Sequence, residues 1–144
     1  ATFFEKRGGR LEKEVFGWIY KRFEGHTWYM QVLLNRLYEQ YETVTDIRQA
    51  EFILAQLLEE NTPVYQSFIS LLTDNQLQLM QAIAREGKVA TPNSGEFVKR
   101  YGLKASSSVN TALKSLQEKE LVYKSDKGYI VYDRFMALWL VTLP

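Results

Sequence analysis

Between Leu121 and Tyr132 the chain changes its grammar. Leu121-Val122-Tyr123 and Tyr129-Ile130-Val131-Tyr132 are two short runs of β-branched and aromatic residues. Ser125-Asp126-Lys127-Gly128 between them is turn chemistry, so the spacing predicts a β-hairpin. A hairpin that closes a series of helical segments restricts the possible folds to a few.

Three helical segments lead up to it. Thr73-Asp74-Asn75-Gln76 reads as a capping box, in which a threonine hydroxyl and a glutamine amide satisfy free backbone donors, and Leu77, Met80, Ile83 and Ala84 give that helix an apolar face. Gly87 to Ser94 reads as a loop. Asn93-Ser94-Gly95-Glu96 reads as a second capping box, opening a short helix with Phe97, Val98 and Tyr101 that Gly102 ends. A longer helix starts over Ser106–Ser108, with Val109, Ala112, Leu113 and Leu116 as its inner stripe. After the hairpin, Asp133 is placed to cap a last helix with Phe135, Leu138 and Trp139 inward. Three helices and a two-stranded flap in this order predict a winged helix-turn-helix over residues 73–144.

The first half reads as helical throughout. Leu11, Val15, Phe16, Ile19, Tyr20 and Phe23 recur at helical spacing, and Gly25 suits the end of that helix. Thr27 is expected to cap a second helix, whose apolar residues from Trp28 to Tyr38 cover more than one face. Thr45 and Asp46 open a third, with a stripe of Ile47, Ala50, Ile53, Leu54, Leu57 and Leu58. Thr62-Pro63 suggests a new N-cap, with a seam at the turn Asn61–Pro63, followed by a short fourth helix with Tyr65, Phe68, Ile69 and Leu72. The expected fold is therefore mainly α: a helical bundle over residues 1–72, then the winged helix with its small hairpin over 73–144.

Composition removes several classes of chemistry. The 144 residues include no cysteine, so disulfides, thiolate nucleophiles and cysteine-built zinc sites are excluded, and the single histidine, His26, excludes a histidine-rich metal site. No apolar run is long enough for a membrane helix and no signal-peptide pattern opens the chain, so no membrane association and a cytoplasmic location are expected. Residues 1–72 hold 8 Lys/Arg against 10 Asp/Glu, and residues 73–144 hold 10 against 7. The second half is modestly basic, short of a strongly basic nucleic-acid-binding domain.

The predicted recognition helix carries the functional hypothesis. Its exposed face would hold Ser107, Ser108, Asn110, Thr111, Lys114 and Gln117, short hydroxyls and amides that can approach phosphates or base edges of double-stranded DNA. Lys104 adds charge, and Lys124 and Lys127 of the wing could reach a neighbouring phosphate. Arginine, the commonest reader of guanine, is missing from this face, and Glu118 and Glu120 close the helix. A protein-interaction or self-association role, with the winged helix docking rather than reading DNA, stands beside the DNA reading.

Phe23-Glu24-Gly25-His26-Thr27-Trp28-Tyr29-Met30-Gln31 resembles the "eGhtyyvQ" signature in the lid of prokaryotic, archaeal-type AAA+/STAND P-loop ATPases. Thr62-Pro63-Val64-Tyr65-Gln66 to Leu72-Thr73 is similar to the same proteins' bridge into a winged helix. Ser106 through Leu116 with Glu118-Lys119-Glu120-Leu121-Val122 resembles that winged helix, and Gly128 through Phe135 with Leu138-Trp139-Leu140 resembles its closing segment. The resemblance implies a lid-like bundle, a nucleotide domain upstream of this chain, and a regulatory role. It implies ATP and Mg only for that upstream domain, which is also a candidate docking partner, and places His26 near the nucleotide. Where many such lids carry a phosphate-sensing arginine after a glycine and proline, His26 and Thr27 follow Gly25 here. No G-x-x-x-x-G-K-[ST] loop is present: Gly87-Lys88 is the only Gly-Lys pair, and Ala82 stands where the first glycine is needed. This chain is thus expected to need no cofactor and to be no enzyme.

Other sharp readings have plainer competitors. Trp28, Tyr29, Tyr38 and Tyr41 could stack on a base, but aromatic stripes at helical spacing usually pack in a core. Glu12/Glu14 and Glu59/Glu60 lack the i, i+3 or i+4 spacing that brings two carboxylates together on a helix. The serines at 106–108 have no histidine near them in sequence to act as a base. Arg7, Arg10 and Lys13 read as an exposed basic face that could also meet a nucleotide domain.

Overall fold

The computed structural model describes the backbone from Arg10 to Pro144; of the basic face expected at Arg7, Arg10 and Lys13, Arg7 and the Arg10 side chain lie outside the described residues, and Lys13 is exposed. Seven helices and four short strands follow in the order β1 (Arg10–Leu11), α1 (Lys13–Phe23), α2 (Thr27–Gln40), β2 (Thr43–Val44), α3 (Ile47–Ile69), α4 (Asp74–Glu86), α5 (Gly95–Arg100), α6 (Ser106–Glu118), β3 (Val122–Ser125), β4 (Gly128–Val131) and α7 (Arg134–Thr142). The described chain divides into two compact units at Glu60/Asn61, a point inside α3. Among the described residues no helix is long and apolar enough to cross a membrane.

The first unit is helical with one small sheet. Val15, Ile19 and Phe23 of α1, Leu33 and Leu37 of α2, and Ala50 and Ile53 of α3 are fully buried. Leu11 is buried too, but in β1 rather than in the first helix: Arg10 and Leu11 pair in parallel with Thr43 and Val44, and the Glu12 amide donates to the Val44 carbonyl at 2.9 Å. Glu24 takes the left-handed conformation at the end of α1. Gly25 follows with φ +77°, where a Cβ would stand 3.0 Å from the Tyr20 ring. His26, not Thr27, occupies the N-cap of α2, and it caps without a side-chain hydrogen bond. At the start of α3, Asp46 Oδ1 accepts from the Arg48 amide at 2.9 Å, while Gln49 Oε1 accepts from the Thr45 and Asp46 amides. That reciprocal arrangement satisfies donors that a helix start otherwise leaves open.

The turn and new helix start expected at Asn61–Pro63 are absent, although the two compact units divide beside them at Glu60/Asn61. Helix α3 runs without a break from Ile47 to Ile69 with Pro63 inside it. Proline removes one hydrogen-bond donor and crowds the preceding turn. Pro63 is solvent-exposed, and the flanking Leu57, Leu58 and Tyr65 are buried, so burial on the other face carries the helix through.

The second unit is centred on α4. Leu79, Met80 and Ile83 are buried, and α4 packs against α6, α7 and β4. Thr73 and Gln76 form the expected capping box: Thr73 Oγ1 accepts from the Gln76 amide at 3.2 Å, and Gln76 Oε1 accepts from the Thr73 amide at 3.1 Å. Gln76 Nε2 then donates to Ser115 Oγ at 3.0 Å, tying α4 to α6. Gln81 Nε2 donates to the carbonyls of Leu140 and Leu143, and Arg85 to that of Leu143, which serves the open carbonyl end of α7. Asp133 caps α7 as expected, accepting from the Phe135 and Met136 amides. The cap of α5 lies one residue later than the sequence suggests. Ser94 Oγ accepts from the Phe97 amide, and Glu96 turns instead to Arg100 at 2.7 Å.

The hairpin forms in the expected place. Strands β3 and β4 are antiparallel, with Val122 opposite Val131 and Ser125 opposite Gly128. A third chain segment joins them: Val89 and Tyr129 exchange both backbone hydrogen bonds, at 3.0 and 2.8 Å.

Candidate nucleic-acid interface

Helix α6 is two-faced. Val109, Ala112, Leu113 and Leu116 are buried, and burying a leucine of this kind stabilises the fold by about 2 kcal/mol. Ser107, Asn110, Thr111 and Lys114 are exposed on the remainder of the helix, and Ser108 is half-buried. The structure thus brings five of the sequence-selected residues onto one helix.

Helix α6 starts at Ser106, within the expected Ser106–Ser108 segment, but without a side-chain cap. Ala105 stands at the N-cap and supplies no side-chain hydrogen bond. Ser106 Oγ turns away to donate to the Asn93 carbonyl at 2.8 Å, which ties α6 to the loop before α5. Thr111 Oγ1 donates to the Ser107 carbonyl at 3.1 Å, so its oxygen remains available as an acceptor. Ser107, Ser108 and Thr111 line an open groove of about 340 Å³ with Thr73, Asn75 and Gln76 of the α4 start. Hydroxyls and amides line this groove, and α4 and α6 both begin at it, so the positive ends of two helix dipoles meet there.

The wing residues stand apart from that groove. Lys124, on β3, is exposed, with its ammonium 5.8 Å from the Tyr129 ring centre. Lys127 is exposed in the turn between the strands. Lys104, before α6, is exposed as well. Arg100 is held by two carboxylates, Glu86 at 2.5 Å and Glu96 at 2.7 Å, and its charge is compensated within the unit. Tyr101 donates to the same Glu86 oxygen at 2.6 Å. That hydrogen bond, followed by the Arg100 guanidinium, holds the Glu86 carboxyl below its ordinary range.

His26 belongs to the first unit, exposed, with its ring edge-on to Tyr29 at 6.3 Å. Phe23 and Tyr29 stack at 5.9 Å, and Trp28 meets Tyr29 edge-on at 5.0 Å. Tyr29 is thereby engaged by its neighbours, as in ordinary packing, whereas Trp28 is 66% exposed. Gly87-Lys88 does not fit a phosphate loop. Gly87 closes α4 and leads into the Val89 bridge, so the pair lies between a helix and an extended segment, the reverse of the strand-to-helix order that cradles a triphosphate.

One cluster escaped the sequence reading. Tyr123 and Tyr132, expected only as strand residues, are exposed at the hairpin with ring centres 5.7 Å apart. They line an open notch with Gln117, Glu120 and Val122. Strand alternation alone does not predict them, because Tyr132 follows two consecutive buried residues, Ile130 and Val131, and alternates onto the face of the buried Ile130.

No curated protein and no solved structure matches this chain. Residues 63–142 match a family model described as a probable winged helix domain, which covers α4 to α7 and the hairpin. That match describes the fold of the segment and does not extend to an ATPase. With more than half of its length matched, and with three helices and a wing in the required order, the chain belongs to the probable winged helix domain family.

Proposed function

We propose that the winged-helix unit binds double-stranded DNA, with α6 laid against the duplex and the wing lysines on its backbone. The observation that carries this reading is the division of α6 into a buried apolar stripe and an exposed face of Ser107, Asn110, Thr111 and Lys114. Short hydroxyl and amide side chains let a helix approach closely, and the open N-terminus of α6 favours a phosphate there. Glu118 and Glu120, exposed at the other end, set the polarity: the N-terminal half approaches the duplex and the C-terminal half stays away. Ser108, Lys124 and Lys127 extend the contact. Lys114→Glu is expected to abolish binding in a fluorescence anisotropy titration with duplex DNA; unchanged binding by that variant would reject this face.

The wider proposal follows the resemblance of residues 23–31 and 62–73 to archaeal-type AAA+/STAND proteins. In it, this chain is the non-catalytic, regulatory C-terminal portion of a P-loop ATPase, His26 lies near nucleotide held by an upstream domain, and ATP and Mg belong to that domain. The chain by itself turns over no ATP, because its one Gly-Lys pair lacks the glycine that a phosphate cradle requires. ATP hydrolysis by the purified chain above background would overturn that part.

A second reading has its own support. The absence of arginine from α6, the double neutralisation of Arg100 and the exposed tyrosine pair on the hairpin favour docking on a protein surface, the upstream ATPase domain included. In that case anisotropy shows no DNA binding at micromolar protein and low salt.

A further inference from the structure

We infer that the notch beside the hairpin is a receptor for a lysine side chain presented by a protein partner. It has a volume of about 390 Å³ and is lined by Gln117, Glu120, Val122, Tyr123 and Tyr132. The two tyrosine rings meet at 70° with centres 5.7 Å apart, forming an aromatic corner. Tyr132 is 64% exposed, and Tyr123 is exposed beside it. Both phenol rings thus reach solvent, Tyr123 from β3 and Tyr132 from just after β4.

Charge complementarity identifies the occupant. An aromatic ring face carries partial negative charge and attracts an ammonium group, more strongly as water is displaced. Glu120 contributes a full negative charge to the same notch, and it is fixed in an unusual way. It takes φ +60°, a left-handed conformation uncommon for a residue with a side chain, at the turn between α6 and β3. Its amide donates to the Gln117 carbonyl and the following Leu121 amide to the Leu116 carbonyl, so the turn is held at both sides. Glu120 is therefore placed at the rim of the notch by a hydrogen-bonded turn. Lys119, the nearest cation in sequence, is engaged elsewhere, its ammonium 3.0 Å from Ser115 Oγ. Gln117 supplies an amide oxygen that can accept a second ammonium hydrogen. A corner of two rings closed by one carboxylate suits a compact ammonium better than the flat, five-donor guanidinium fork. The notch lies at the C-terminal end of α6, opposite the serine-lined start, and does not depend on the DNA reading.

The test is an amide chemical-shift titration of the full chain with two probes, an N-acetylated, C-amidated Gly-Lys-Gly peptide and its side-chain-acetylated counterpart. The lysine peptide is expected to bind in the millimolar range and to shift the amides of Gln117 to Tyr123 and of Tyr132, while the neutral peptide leaves them in place. Glu120→Gln and Tyr132→Leu, both at exposed positions and expected to keep the fold, should each weaken the lysine peptide by about threefold or more. Equal shifts from both peptides, shifts spread away from the notch, or variants that bind as tightly as the parent would each overturn the inference.

Discussion

Gly128 lies directly against the backbone of Val89: a Cβ on it would stand 2.7 Å from the Val89 carbonyl carbon and oxygen. Its φ of +134° is also one that residues with a side chain rarely adopt. The close approach comes from the bridge through which Val89 joins the hairpin at Tyr129, and the φ belongs to the hairpin turn, where Gly128 stands opposite Ser125. Gly128→Ala is therefore expected to destabilise the winged-helix unit by about 2–4 kcal/mol, read from urea denaturation. A loss below about 0.5 kcal/mol would mean that the Val89 bridge is absent in solution.

The shifted cap of α5 gives a paired comparison. Ser94→Ala removes the side-chain acceptor of the Phe97 amide and should cost about 1 kcal/mol. Asn93 keeps its backbone role, since its carbonyl accepts from Ser106, so Asn93→Ala should change stability little. The reverse ranking would restore the cap expected from the sequence.

Trp139 and Thr62 are 77 positions apart, and the indole Nε1 donates to Thr62 Oγ1 at 3.1 Å. Trp139 is buried, with its ring 5.2 Å from that of Tyr65. Thr62→Val keeps the shape and removes the acceptor, leaving a buried donor unpaired. The expected loss is about 1–3 kcal/mol, with a red-edge change in tryptophan fluorescence as the check on local geometry.

The cluster of Glu86, Arg100 and Tyr101 makes stability depend on pH at both extremes. Glu86 is held below its ordinary range, first by the Tyr101 hydroxyl and then by Arg100. Its contribution is complete above the carboxylate range of an unfolded chain and is lost as pH falls through its lower folded value. Tyr101 is pushed up, first by burial and then by its hydrogen bond to Glu86. What that hydrogen bond contributes is present below the ordinary tyrosine value and is lost as pH rises through the higher folded value. Thermal melts of the wild type and Glu86→Gln should differ at neutral pH and converge as pH falls below the depressed folded value of Glu86. A difference that persists undiminished in acid would show that the Glu86 charge is not the source.

Much of the second unit was legible because its signals are local. Thr73 and Gln76 sit three apart and cap each other, Asp133 caps α7, and the β-type runs around Asp126-Lys127 pair as a hairpin. What was illegible depended on distant partners. Leu11 reads as helical by spacing, yet its strand exists only because Val44 lies beside it. A two-residue strand has no periodicity to detect. Pro63 signals a helix start, but the burial of Leu57, Leu58 and Tyr65 on one continuous face overrides it. The α6 face of Ser107, Asn110, Thr111 and Lys114 followed from the spacing of Val109, Ala112, Leu113 and Leu116. The Tyr123–Tyr132 corner required the register that sets Val122 opposite Val131.

The salt dependence of DNA binding tests the central claim most directly. With Lys104, Lys114, Lys124 and Lys127 as the exposed lysines of the proposed contact, anisotropy titrations at increasing salt should give a log–log slope of roughly −2 to −4. Lys114→Ala and Lys124→Ala should each reduce that slope by about one. Absence of binding at about 50 mM salt, or a slope that neither substitution changes, would contradict a duplex seated on α6 and the wing.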